Sequence, residues 1–157
     1  MPSASSPPAV RIRPAHAREL EALLELEQRC FTGDRLSRRA FRRHLASPRS
    51  ALIVAERGGA LIGSALVLFR RDSDAARLYS IAVDARARGL GLGARLLAAA
   101  EREARRRGAR TMRLEVRPDN RAAVALYRAA GYEAFARIEG YYEDGAPAMR
   151  YRKSLNR

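Results

Sequence analysis

Arg88-Gly89-Leu90-Gly91-Leu92-Gly93 follows an apolar, strand-like run from Leu78 to Val83 and opens an amphipathic helical run beginning near Ala94. A glycine-rich turn between a strand and a helix exposes successive backbone N–H groups. The helix N-terminus adds its positive dipole, so the turn suits a phosphate or pyrophosphate. Glycine serves because the backbone must approach the anion closely and must reach φ > 0. The bland alternative is a glycine-rich connector in an Ala/Arg-rich chain.

Two familiar phosphate loops do not fit. A Walker A loop ends in Gly-Lys-Ser/Thr, whereas Gly93 is followed by Ala94 and Arg95. A dinucleotide fingerprint needs Gly-x-Gly-x-x-Gly in the first strand–helix unit of a parallel domain. Gly89-Leu90-Gly91-Leu92-Gly93 breaks that spacing, and it lies past mid-chain.

Working outward, the flanking segments read as one alternating α/β chain. Val10-Arg11-Ile12-Arg13 alternates and stops at Pro14, giving a first strand. Ala17 to Phe31 carries Leu20, Leu23, Leu24, Glu27 and Phe31 at helical spacing, and Thr32-Gly33-Asp34 breaks it. Ser37 can cap a second helix that buries Phe41 and Leu45 and ends at Ser47-Pro48. Ala51 to Glu56 and Leu61 to Phe69 form a hairpin about Gly58-Gly59, and Ala76 to Val83 is the third strand of that meander. The third helix runs from about Ala94 to Arg107. Thr111 to Val116 is a strand, and Asn120 caps a helix to Ala130 with Gly131 as its stop. Tyr132 to Ile138 and Ala148 to Tyr151 are the closing strands. A meander followed by β-α-β-α-β predicts an α/β fold. One central mixed sheet of about six or seven strands is flanked by about four helices. Residues 1–9 read as a disordered leader and residues 10–157 as a single domain.

Composition bounds the function. No apolar run approaches the ~18 residues of a membrane span, and the start lacks an apolar signal core. The single cysteine, Cys30, excludes an internal disulfide and fits a reducing cytoplasm. Cys30, His16 and His44 have no metal-ligand spacing, so no metal is expected. The net charge of +14 invites a nucleic-acid reading. Lys153 is the only lysine, however, and the arginines spread along the whole chain. No helix-turn-helix, zinc finger or aromatic-rich binding strand is present. A basic nucleic-acid-binding module therefore stays a side hypothesis.

The loop and the element order together resemble the GNAT family of N-acetyltransferases. Arg88, Gly91 and Gly93 satisfy its coenzyme A pattern, Arg/Gln-x-x-Gly-x-Gly/Ala, and Arg86 to Gly91 fits it again two residues earlier. Leu114-Glu115-Val116-Arg117-Pro118-Asp119-Asn120, then Ala125-Leu126-Tyr127 and Gly131-Tyr132, are similar to the signature of the bacterial ribosomal-protein alanine N-acetyltransferases, the RimI-like branch. Tyr141-Tyr142-Glu143-Asp144-Gly145 with Ala148-Met149 is similar to that branch's closing hairpin. The resemblance covers roughly Val10 to Leu155.

The resemblance implies an acetyl-CoA-dependent enzyme that acetylates a primary amine by direct attack in a ternary complex. No covalent enzyme intermediate is needed, so the lack of a nucleophile–histidine pair is no objection. Orientation of two bound substrates supplies much of the rate. Arg88, Gly89, Leu90, Gly91, Leu92, Gly93 and Ala94 would hold the pyrophosphate, and Ile81, Ala82 and Val83 would meet the pantetheine arm through backbone. Part of the positive charge would steer this polyanion. Tyr127 is the candidate general acid, close to the sulfur. Asn120 is either a cofactor contact or a plain helix cap. Glu115 is the candidate general base, directly or through water, with Arg113 and Arg117 expected beside it on one strand face. Asp34, Tyr79, Glu115, Tyr141 and Tyr142 are the candidate acceptor-binding residues. Asp34, Glu143 and Asp144 have a simpler reading as turn residues. The implied acceptor is a protein N-terminal or lysine amine. Phe31-Thr32-Gly33-Asp34 departs from the Phe-Pro-Trp-Ser type of the ribosomal enzymes, which keeps a small-amine acceptor open.

Overall fold

The computed structural model describes residues 8–33 and 35–156. Asp34 and residues 1–7 of the expected leader lie outside them. Seven strands form one mixed sheet: β1 Arg11–Pro14, β2 Ser50–Arg57, β3 Ala60–Leu68, β4 Ala75–Val83, β5 Thr111–Val116, β6 Glu133–Ile138 and β7 Ala148–Ser154. Their spatial order is β1-β2-β3-β4-β5-β7-β6. Among the described residues four α-helices flank it: α1 Leu20–Cys30, α2 Arg38–Ala46, α3 Leu92–Arg106 and α4 Arg121–Ala129. The α/β class and element order are those expected from the sequence.

Local chemistry sets most boundaries. Gly58 and Gly59 both hold positive φ, 58° and 82°, which a two-residue hairpin loop with matching twist requires. Ser37 caps α2 by accepting from the Ala40 N–H at 3.1 Å. Three bounds differ from expectation by more than one residue. The first helix opens with a 3-10 turn at Ala17–Glu19, where Glu19 accepts from the His16 N–H at 2.8 Å. Strand β7 runs on to Ser154 because Thr111 pairs with it at the far end of β5. Helix α3 begins at Leu92, not Ala94.

Two cores lie on opposite sheet faces. One gathers Ala65, Val67, Leu78, Met112, Leu114 and Val116 with Leu96, Leu97 and Ala100 of α3 and Tyr127 of α4. The smaller core sets Leu23 and Phe41, from α1 and α2, against Leu52, Val54 and Leu66. Gly63 makes the α3–β3 contact possible: a Cβ there would sit 2.8 Å from Leu96 Cδ1 and 3.1 Å from the Ala82 carbonyl oxygen. Helices α1 and α2 cover β2, β3 and part of β4, and among the described residues no helix packs on the same face of β5, β7 and β6.

Candidate active site

The glycine loop is anchored by a buried carboxylate. Asp84, 2% exposed, accepts from the backbone N–H and guanidinium of Arg86 and from Nε of Arg29 on α1 at 2.9 Å. The Arg86 contacts, then Arg29, hold its carboxyl well below the usual carboxylate range. Beyond a short 3-10 turn at Ala85–Ala87, Gly89 and Gly91 take left-handed φ of 87° and 64°. Space around both is open, since no heavy atom lies within 4 Å of a Cβ built at either. Gly91 is the N-cap of α3, and the first α3 N–H bonded within the helix is that of Arg95, to the Gly91 carbonyl. Leu92, Gly93 and Ala94 therefore form the first turn of the helix and not its connector. Their N–H groups are the unpartnered donors of a helix start. Gly93 also allows α3 to approach α4, because a Cβ would lie 3.3 Å from Leu126 Cδ2. Leu90 and Arg88 are exposed, and the Arg88 side chain makes no ion pair among the described residues.

The loop stands at the head of a gap in the sheet. Strands β4 and β5 pair in parallel only from Ala75 to Arg77 against Thr111 to Arg113, although both continue beyond. The cause lies on the other edge of β4. Leu66 opposes Ser80 and Val67 opposes Leu78, leaving Tyr79 as the extra residue of a β-bulge. The bulge reverses the alternation, so Ile81 and Val83, like Leu78 before it, pack against the larger core. Ala82 is 2% exposed. Past the bulge, the edge of β4 that faces β5 is outside any ladder.

Helix α4 contributes Asn120 and Tyr127. Asn120 Oδ1 accepts from the Ala123 N–H at 3.2 Å, so the cap reading is realised and only its NH₂ group is left over. The Tyr127 ring is buried and meets Tyr132 edge-on, with centroids 5.9 Å apart. Its hydroxyl makes no hydrogen bond with a described residue, yet among the described residues no buried side-chain polar atom lacks a partner. That hydroxyl is therefore open to solvent. Burial, with the Tyr142 phenol nearby, pushes the Tyr127 phenol up to about 12. Behind it, the buried Glu101 carboxylate accepts from Tyr132 Oη at 2.9 Å and Lys153 Nζ at 3.0 Å.

Glu115 lies on the opposite face of β5 from Leu114 and Val116. Its side chain is 8% exposed, and both oxygens are engaged. Arg77 Nε donates to Oε1 at 2.8 Å, and Arg150 Nε donates to Oε2 at 3.2 Å. The expected neighbours, Arg113 and Arg117, do not pair with it. Residues two apart on a strand stand ~7 Å apart, whereas cross-strand partners stand ~5 Å apart, so β4 and β7 supply the partners. Arg77 Nη2 also donates to Tyr141 Oη at 2.8 Å, and its guanidinium lies 5.3 Å from the Tyr79 ring centroid. Tyr141 and Tyr142 meet edge-on at 4.9 Å in the β6–β7 connection. Asp144 pairs with Arg117 at 2.8 Å and accepts from the Ala146 N–H, so it is a turn residue.

Residues 20–132 match the acetyltransferase (GNAT) family. The chain belongs to that family. It is thus an acyltransferase that transfers an acetyl group to an amine, and GNAT enzymes draw that group from acetyl-CoA. Over 133 residues, 82% of each chain, it is 38% identical to the N-alpha-acetyltransferase RimI of Mycobacterium tuberculosis. It is 42% identical over 69 residues to the ribosomal protein bS18 alanine N-acetyltransferase of Escherichia coli, covering 44% of this chain and 47% of that one. The crystal structure of the S18-alanine enzyme from Escherichia coli superposes with a TM-score of 0.85 at 28% identity, over 95% of this chain and 96% of that one.

Within this GNAT chain, Arg77 brings together Glu115, Tyr79 and Tyr141, and Tyr142 stands between Tyr141 and the Tyr127 phenol. Asp34 lies outside the described residues. Sequence reasoning missed Arg77, Arg150 and Asp84. Asp84 carried a signal, since an Asp directly after a strand and before a short helical turn is a capping residue. The two arginines carried none, because their roles come from pairing across strands. Among the described residues no helix is long and apolar enough to cross a membrane.

Proposed function

We propose that this chain is an acetyl-CoA-dependent N-acetyltransferase of protein or peptide N-terminal amines, with lysine amines as the second acceptor class. The observation that carries the reading is the β4–β5 gap, headed by the free N–H groups of Leu92, Gly93 and Ala94. The kinship with an N-alpha-acetyltransferase over most of the chain favours this acceptor class over a small amine.

The residues fit the cofactor's chemistry. Three unpartnered N–H groups, open space at Gly89 and Gly91, and the unpaired Arg88 suit a pyrophosphate. The unladdered edge of β4, from Ile81 through Ala82 to Val83, offers backbone groups to an amide-bearing arm. The Asn120 NH₂ group faces the same task. Bound acetyl-CoA supplies the acetyl thioester.

The Tyr127 hydroxyl holds a proton for the leaving group. Its raised pKa keeps that proton in place across the physiological range. Glu115 removes the amine's proton through a water, because guanidinium groups already occupy both its oxygens. Arg77 and Arg150 position that carboxylate. Tyr79, Tyr141 and Tyr142 wall the acceptor path, and Asp34, outside the described residues, is kept as a further acceptor contact. A single domain from about residue 10 onward carries all these parts. The lone, half-buried Cys30 is in keeping with a reducing cytoplasm.

The test is incubation with acetyl-CoA and a panel of peptides with free N-termini, read by mass and by thiol release. One acetyl group on the α-amine per thiol released is expected. Transfer confined to small amines, or no transfer by folded protein, would overturn the reading.

A further inference from the structure

The helix-free face of β5, β7 and β6 gathers charge that the sequence scatters. Arg113 on β5 is in direct register with Arg152 on β7. Both are exposed, and neither makes an ion pair among the described residues. Their guanidinium groups stack on the Phe135 ring of β6, at 5.9 Å and 4.7 Å from its centroid. Phe135, two residues from Glu133 and so on the same face, is the extra residue of a bulge between Ala134 and Ala136. Two arginines are thus held side by side by stacking, without a counterion. Glu133 registers with Arg152 on the same face but forms no ion pair with it. The neighbouring Arg77 and Arg150 are matched by one carboxylate, Glu115. The face keeps an excess of positive charge.

Arg113 stands two residues from Glu115 on one strand, ~7 Å away. An extended chain advances ~3.3–3.6 Å per residue. A polypeptide with its α-amine at Glu115, running along this face, sets its second or third side chain beside Arg113 and Arg152.

We propose that the preferred acceptors carry a carboxylate side chain at the second or third residue after the free amine, held by Arg113 and Arg152. The inference rests on the N-terminal acceptor reading and names its substrate class. Charge-assisted contacts to a pre-positioned guanidinium pair supply the selectivity, and its exposure makes that selectivity salt-sensitive.

The experiment compares kcat/KM for matched peptides with Glu, Gln or Lys at the second and third residues, in wild type and Arg113→Ala/Arg152→Ala. Anisotropy of the labelled Glu peptide reports binding separately from turnover. Wild type should favour Glu over Lys about tenfold at low salt, the gain of two exposed charge pairs. The double variant should lose most of that preference while turning over the Gln peptide at the wild-type rate. No preference, a preference for Lys, or a preference that survives in the double variant would overturn the proposal. Salt-sensitive binding lost in the double variant, without turnover of any peptide, supports the surface and defeats the acceptor reading. Tighter binding of single-stranded RNA than of the Glu peptide at the same salt would overturn it in favour of a polyanion platform.

Discussion

Replacing Tyr127 by Phe removes one oxygen and should slow turnover sharply without disturbing the fold. The ring is buried against the larger core and Tyr132, and Phe keeps both contacts. The hydroxyl bonds to no described residue, so its loss breaks no internal hydrogen bond. The stability change should stay within about 0.5 kcal/mol, as for a substitution that leaves no polar group orphaned. At this size that moves Tm by no more than ~2 °C. A positioned general acid contributes about 10²–10⁴-fold, so kcat should fall at least ~100-fold while acetyl-CoA affinity is kept. The assay is steady-state thiol release beside calorimetric titration of both proteins. The raised phenol also fixes the sign of the pH dependence. A phenol pushed up to about 12 stays protonated through the physiological range, so kcat should show no alkaline loss from Tyr127 there. A kcat within threefold of wild type, or an alkaline inflection well below 12 that the variant abolishes, would refute the reasoning.

Gly91→Glu should fold, because the site has open space and the φ of 64° costs about 1–2 kcal/mol for an L-residue. Its carboxylate would face the pyrophosphate, so acetyl-CoA affinity should drop roughly 100-fold; retained affinity by titration contradicts the loop assignment. Glu115→Gln leaves Arg77 and Arg150 without their shared counterion. It should cost about 1–2 kcal/mol in urea unfolding, discounted because both arginines are partly exposed. It should also lower kcat/KM at least ~10-fold, and unchanged turnover removes Glu115 from the mechanism. Acid should weaken the fold through Glu19 and Glu103, which Arg13 and Arg106 hold from an ordinary 4.5 down to about 2. Depressed pKa values stabilise above 4.5, and that contribution is lost as pH falls toward 2. Melting curves across that range should slope downward, and Glu19→Gln/Glu103→Gln should flatten the slope; equal slopes contradict this.

What the sequence disclosed is what neighbours in the chain decide. Strand β5 begins at Thr111 and ends at Val116 as its alternation requires, with Pro118 beyond. Ser37 and Asn120 cap α2 and α4 because their side chains reach amides three residues on. The loop was legible as a backbone cradle, although α3 starts earlier because Gly91 itself takes the capping conformation. Contacts between distant segments were not legible. Glu115 meets Arg77 and Arg150 across 38 and 35 residues of chain. The Glu101–Tyr132–Lys153 cluster joins α3 to the start of β6 and the end of β7. The bulge at Tyr79 depends on how β3 and β4 settle into register, which no local pattern encodes. Arginines that looked evenly scattered gather on one face only once β5 and β7 are paired.

Calorimetric titration of the purified protein with acetyl-CoA tests the central claim most directly. The account predicts saturable micromolar binding at one site per chain, weakened roughly 100-fold in Gly91→Glu. A folded sample that gives no saturable heat would contradict it.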